Sequence, residues 1–546
     1  MRFDTTYMAE NLKHNLLFPF SAVAFFVLSY SEFAGYGIGI IIAGLIALLV
    51  AAGSPDFWKE IKKISKLELA YGALCTAGVC LAGHDSFIYL YRKRPEHLLF
   101  VRTGVISEQK ASMFGWLLAL LSFYFIFIYV CFFIRKITAV LKASSAFNGV
   151  TLWESLLYAI IFLITSGFII YVFSTTDAFY WAKQYYDVIY TSDSPAIFRW
   201  NAYMTLTHQQ NDLRQPLFFV FSAPFLGVLN LISAPFFITV KAMLLNIGQI
   251  AMLIFANYLL ARLIGLSACS RAVFVLLFSS TYTYMLFSLM MEQYIVAYFW
   301  LMLFLYERFA EKRQDCFALY GTGGTLLTSM VLLPFAAKKS ARENILEWIR
   351  EIICIGIGFV ILILAFCRFD VFYSLAETVR SFARFTGTSV PIGERVLQYL
   401  AFARNVFLPP AAEIAMTDSG NLTWQLSAVT EIDYTGIAIL LLGIISAVIN
   451  RMKQSTWILV GWWAYSVVII VLLGWGTAEN GLILYSLYFG WALIALMFQL
   501  VEEIGDLLHV RFLGTAVIVA FAAYLLVVNY TAVKSMVTFM TIYYPL

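Results

Sequence analysis

Residues 153–173 read WESLLYAIIFLITSGFIIYVF, and residues 174–219 continue STTDAFYWAKQYYDVIYTSDSPAIFRWNAYMTLTHQQNDLRQPLFF. The first stretch is apolar over about the 20 residues that a helix needs to cross a bilayer. A segment in lipid must satisfy its own backbone, which a helix does and an isolated strand does not. The second stretch is polar and aromatic, and it gathers Asp177, Asp193, His208, Asp212 and Arg214 within 38 positions. A membrane span that opens into dense ionisable chemistry at its end decides the reading of the whole chain.

Composition agrees with the first stretch. Of 546 residues, 62% are hydrophobic and 12% are charged, against about 25% charged in a soluble domain. The net charge of +4 gives no reason to expect a nucleic acid partner. The seven Cys are scattered, mostly inside apolar runs, without CxxC or Cys/His ligand spacing. They read as buried, reduced core residues. No cleavable leader is expected, because the first apolar run continues into a second without an A-x-A-like site.

The apolar runs predict an all-α, polytopic transmembrane helical bundle of roughly 13–15 spans. Lys and Arg flanking short loops set the orientation. Lys59, Lys62, Lys63 and Lys66 mark one inner loop, and Arg135, Lys136 and Lys142 another. Spans near 16–31, 37–52, 68–84 and 112–134 then make an N-terminal membrane unit, 1–150. The basic loop YRKRPEH at 91–97 runs against this count, which puts it outside. A core follows over 151–368, with its first acidic outer loop at 174–216. A second extracytoplasmic loop covers 369–432, and C-terminal helices cover 433–546, with spans near 434–450, 456–474, 482–500 and 512–530.

Between 216 and 306 the apolar segments number one too many for the inner loop ERFAEKRQD to follow an outer one. A broken or re-entrant helix is therefore expected there, of the kind tolerated where it lines a cavity. Glu292 and Gln293, inside FSLMMEQYIVAYFW, mark the expected break, since an ionisable group within a span is costly. YGTGGTLLTSMVLLPF at 320–335 reads as a hairpin or re-entrant element, followed by an amphipathic inner helix in KKSARENILEWIREI and a span near 352–367.

Within the acidic loop, FYWAKQYYDVIY (179–190) carries aromatics at nearly every turn and reads as a helix lying in the interface plane. It would lead from Asp177 to Asp193 with both carboxylates facing one interfacial space. Pro216 suits a first helical turn, and Asp212 suits its cap. Arg214 offers a planar fork to a phosphate or to Asp212, and His208 is a base or phosphate donor.

A span, a long outer loop with acids near the membrane, and the entry Asp212-Leu213-Arg214-Gln215-Pro216-Leu217 together resemble the GT-C superfamily of polytopic membrane glycosyltransferases. The resemblance implies transfer of a sugar from a polyprenyl-phosphate carrier to a glycan or lipid acceptor, inverting, with a loop carboxylate as general base. It implies a catalytic Asp193 or Asp177. Donor phosphate would meet Arg214, His208 and, from the second loop, Arg395 and Arg404, near which lie Arg380 and Arg384. Asp212, Glu292, Gln293, Glu479 and Asn480 are substrate-binding or structural candidates, the last two in a short outer turn. The WWD motif of oligosaccharyltransferases is missing, since Ala464 follows Trp462-Trp463. No cofactor is evident. A divalent ion shared by Asp177 and Asp193 is the one metal arrangement considered, and no metal residue is assigned. Two sequons stand at Asn421-Leu422-Thr423 and Asn529-Tyr530-Thr531. We expect the protein in a bacterial cytoplasmic membrane with an extracytoplasmic active face. A lipid-linked glycan flippase or transporter, and a polysaccharide polymerase or ligase, are the alternatives.

Overall fold

The computed structural model describes residues 62–93, 107–180, 188–190, 192–199, 201–205, 214–313, 316–338, 341–367, 380, 386–387, 389–416, 420–478 and 481–546. Among these, seven helices are long and apolar enough to cross a membrane, or eight if one bent pair counts as a single span. The chain is thus a mostly helical, multi-pass membrane protein. Part of the difference from the higher expected count is readily traced. The spans near 16–31 and 37–52 lie outside the described residues. Those near 217–233 and 434–450 are helices of 16 residues, about 24 Å long at 1.5 Å per residue, where a full crossing takes about 30 Å. Hydropathy does not distinguish a half-depth helix from a crossing one.

The chain divides into two compact units. The first comprises Met1–Ser145, Arg199–Gly248 and Glu311–Leu375. Here α1 (Lys66–Lys93) and α2 (Glu108–Ala143) run antiparallel. Cys80 Sγ donates to Ala119 O, and Thr138 Oγ1 donates to Glu68 Oε1 at 2.8 Å. A short helix, α4 (Ser194–Arg199), ends at the start of this unit's second segment. Helix α5 (Phe218–Ser233) runs parallel to α1: Tyr71 O–H donates to Pro224 O at 2.8 Å, and Asn230 Nδ2 donates to Gly78 O at 2.8 Å. A Cβ on Gly78 would collide with the Gly227 carbonyl, and one on Gly227 with Cys75. These glycines let two helix backbones touch, the usual device of membrane interfaces. Gly227→Ala is expected to cost about 1–3 kcal/mol by overpacking, read as a lower melting temperature in detergent. Gly167→Ala, with open space around it, serves as the unaffected control.

Within the first unit, α5 therefore points the same way as α1. Its start is joined to a second broken element, α10 (Cys316–Thr325), a 3₁₀ turn (Leu327–Leu332) and α11 (Leu333–Ala336). Leu217 N–H donates to Gly324 O at 2.8 Å, and Leu327 N–H to Arg214 O at 2.7 Å. Two irregular segments thereby satisfy each other's backbone, the condition for such segments within a membrane protein. The N-cap of α5 is Leu217, without a side-chain cap bond. Pro216 therefore precedes the helix rather than sitting in its first turn, and the capping role expected of Asp212 lies outside the described residues. The amphipathic helix and the span expected between 338 and 367 are one helix, α12 (Ile345–Cys367). Helix α6 (Ile238–Leu263) passes from the first unit into the second at Gly248.

The second unit comprises Ala146–Phe198, Gln249–Ala310 and Ala376–Leu546. Helix α3 (Leu152–Phe173) opens with a reciprocal capping box between Thr151 and Glu154. Glu154 is also fully buried against Arg271, with Nε–Oε1 at 2.7 Å and NH2–Oε2 at 2.9 Å. This bidentate pair ties α3 to α7 (Ala268–Ser279), which meets α8 (Tyr282–Leu289) at a 66° bend. Helix α9 (Tyr294–Leu305) follows and ends in a π turn, Tyr306–Ala310.

The second long loop expected at 369–432 holds α13 (Ile392–Asn405) and an antiparallel hairpin, β1 (Ala412–Met416) with β2 (Leu422–Leu426), Ala412 opposite Leu426. Alternation in LTWQL carries the strand signal, and Gly420 takes φ 84° at the turn. Helices α14 (Tyr434–Ile449), α15 (Gln454–Val467), α16 (Ser486–Leu507) and α17 (Arg511–Tyr543) match the four C-terminal apolar runs. Both sequons are engaged structurally. Thr423 is fully buried in β2, and Asn529 is fully buried in α17 and donates to Ser280 O and Phe407 O. Cys75, Cys80, Cys131, Cys316 and Cys354 are buried, whereas Cys269 is exposed.

Candidate functional site

The helical path breaks completely at Met290–Gln293, between α8 and α9. No Gly or Pro lies there, so a tertiary contact holds the break. Glu292, 1% exposed, accepts the backbone N–H of Asp193 on Oε1 at 2.9 Å. The hydroxyls of Ser192 and Ser194 also reach its carboxyl group and bond each other at 2.7 Å. Gln249 Nε2, on α6, donates to the Glu292 carbonyl at 3.3 Å. Gln293 is buried, and its Oε1 has no hydrogen-bond partner among the described residues. Glu292 and Gln293 therefore stand at the break where the sequence placed them.

Asp193 is exposed. It lies in the turn before α4, with Ser192 N–H bonded to Ile189 O and Ile197 N–H to Asp193 O. One acid is thus sealed beneath the chain and one stands above it. Burial, and next to it the Asp193 carboxylate, push the Glu292 carboxyl above its ordinary range, although the surrounding N–H and O–H donors work against that. Two nearby carboxyls in such unlike settings are the arrangement in which one keeps its proton while the other serves as a base.

The other expected site residues have different surroundings. Asp177 is buried at the end of α3, and its carbonyl accepts Tyr180 N–H. Its neighbour Thr176 donates to Tyr544 O at 2.5 Å, anchoring this end of the loop to the foot of α17. Among the described residues, Glu292, 99 positions away, is an acid beside Asp193, a pairing that no sequence spacing announces. Of the interfacial helix expected at 179–190, residues 181–187 lie outside the described residues. Its last three residues are not helical: Ile189 pairs with Trp424 in a parallel bridge, and Tyr190 takes φ 50°.

Arg395 is buried, and its guanidinium donates to Val390 O at 2.8 Å, Leu472 O at 2.9 Å and Val471 O at 3.3 Å. Those bonds tie α13 to the π turn Val468–Leu472. Arg404 is half-buried, 3.8 Å from Asp433 Oδ2. Arg214 is half-buried in the first unit. His208, Asp212, Arg384, Glu479 and Asn480 lie outside the described residues, and Arg380 is exposed. Among the described residues no three His, Cys, Asp or Glu side chains gather as a metal site.

Comparison with protein-family models, with curated proteins and with solved structures found no match to this chain.

Proposed function

We propose that the chain is an integral-membrane glycosyltransferase that moves a sugar from a polyprenyl-phosphate carrier to an extracytoplasmic acceptor. One observation carries this reading: exposed Asp193 is fixed by its own backbone over the buried carboxyl of Glu292, at a helix break in an apolar bundle. A lipid-linked donor lives at the membrane boundary, and its chemistry needs a base there. In the proposed step Asp193 takes the proton of the acceptor hydroxyl. The acceptor oxygen bonds to the anomeric carbon, inverting it. The carbon–phosphate oxygen bond breaks, and its electron pair leaves on the phosphate. Glu292 keeps its proton and adds no second negative charge beside the base. Phosphate recognition by Arg214, His208, Arg395 and Arg404 rests on the sequence alone, and the three carbonyl bonds of Arg395 give it a structural duty besides.

The test is incubation of purified protein in detergent with a polyprenyl-phosphate sugar and candidate acceptors. Sugar transfer or release is the expected result. A second reading, a lipid-linked glycan transporter, draws support from the 66° bend and from the buried acid at the break, features of helices that line translocation sites. A transporter gives neither transfer nor release, yet moves labelled donor across a vesicle membrane.

A further inference from the structure

Among the described residues, the second outer loop reaches the Asp193 turn through Trp424. Its N–H donates to Val188 O at 2.8 Å, and its carbonyl accepts Tyr190 N–H at 2.8 Å. Its indole Nε1 donates to Tyr190 Oη at 3.0 Å. Tyr190 Oη lies 2.7 Å from Tyr282 Oη, in the first turn of α8. Tyr190 takes φ 50°, a left-handed backbone that a bulky aromatic residue adopts only when its surroundings hold it. Burial pushes its hydroxyl up to about 12, so it stays neutral and both donates and accepts. The clamp is anchored from behind, because Trp424 stacks near Phe539 of α17, ring centroids 5.5 Å apart, and Tyr544 O–H donates to Leu422 O.

We propose that Trp424 is a positioning residue for the Asp193 base, acting through the Tyr190 hydroxyl; this rests on the glycosyltransferase reading. The hairpin adds a strand to Val188–Tyr190 and fixes a strained turn. Asp193, three residues on, is thereby held at one distance from the acceptor. Glu292 fixes the same turn from below and Trp424 from the side. A positioning role predicts loss of turnover without loss of substrate binding, because a misplaced base still lets both substrates bind.

Trp424→Phe removes the indole N–H but keeps the ring and both backbone bonds. Tyr190→Phe removes the hydroxyl it meets. Each variant is expected to lower kcat about tenfold, the size of one lost interior hydrogen bond that sets geometry, with KM within about twofold of wild type. The double variant is expected to be no slower than the slower single one, since both remove the same link. Hydrogen exchange at the amides of Tyr190, Ser192 and Asp193 should quicken in Trp424→Phe. Ile432→Ala, exposed and outside the hairpin, should change neither readout. A wild-type kcat in Trp424→Phe, or single losses that multiply in the double variant, overturns the proposal. If the wild-type protein transfers no sugar, the glycosyltransferase reading fails instead, and exchange decides the clamp: unchanged protection at 190–193 in Trp424→Phe overturns it.

Discussion

Asp193→Asn should reduce glycosyl transfer by about 10²–10⁴-fold, the usual contribution of a general base, with folding and donor affinity intact. Asparagine has nearly the same shape as aspartate. Its backbone bonds, N–H to Glu292 and carbonyl from Ile197 N–H, are left alone by the substitution. The side chain is exposed, so no core packing is lost. What disappears is the charged, proton-accepting carboxylate. The checks are kcat for transfer of labelled sugar in detergent, a donor-binding titration and a melting curve on the same preparation. Full activity in Asp193→Asn would move the role to Asp177. A variant that melts early would leave the cause of lost activity to Asp193→Glu, which keeps the carboxylate and should recover part of the rate if the base is what matters.

Much of the fold was legible because it depends on local apolar content. The runs at 434–450, 456–474, 482–500 and 512–530 became α14 to α17 with small shifts at the ends. The break at Glu292 was legible from a charge within an apolar run. The direction of α5 was not legible, because its parallel course beside α1 shows only in contacts far apart in sequence. The hairpin at 412–426 was hidden by its position in a polar loop, although LTWQL alternates as a strand should. Glu154 carried a visible signal, since Thr151 and Glu154 have capping-box spacing. Its partner Arg271 lies 117 positions away, and nothing local predicts that. The same holds for the site. Asp193 was found by its loop and Glu292 by its surroundings, but only tertiary structure joins them. The premise that Asp177 and Asp193 form the working pair drew on sequence proximity, a weak guide in a chain whose loops are tied down by distant helices.

Glu292 offers the sharpest test of that junction, through two substitutions with different outcomes. Glu292→Ala leaves the Asp193 N–H without its acceptor and empties the space beside the paired Ser192 and Ser194 hydroxyls. An unsatisfied buried polar group costs about 1–3 kcal/mol, and the vacated space adds to it, so a loss of about 2–5 kcal/mol is expected. Glu292→Gln keeps an oxygen that accepts the same N–H, so its loss at neutral pH should be small. The pH dependence then separates charge from packing. A carboxyl whose proton affinity is raised on folding binds more protons in the folded state than in the unfolded one. From about pH 4.5, the ordinary value, stability therefore falls as pH rises, until the folded group also ionises. The wild-type melting temperature in detergent should decline over this window more steeply than that of Glu292→Gln, because glutamine does not titrate. If the two curves run parallel, Glu292 ionises as an ordinary exposed acid would, and the division of labour between a sealed acid and an open base has no physical footing. If they diverge while Glu292→Gln still transfers sugar, the buried group serves by staying neutral, and Asp193 alone carries the proton.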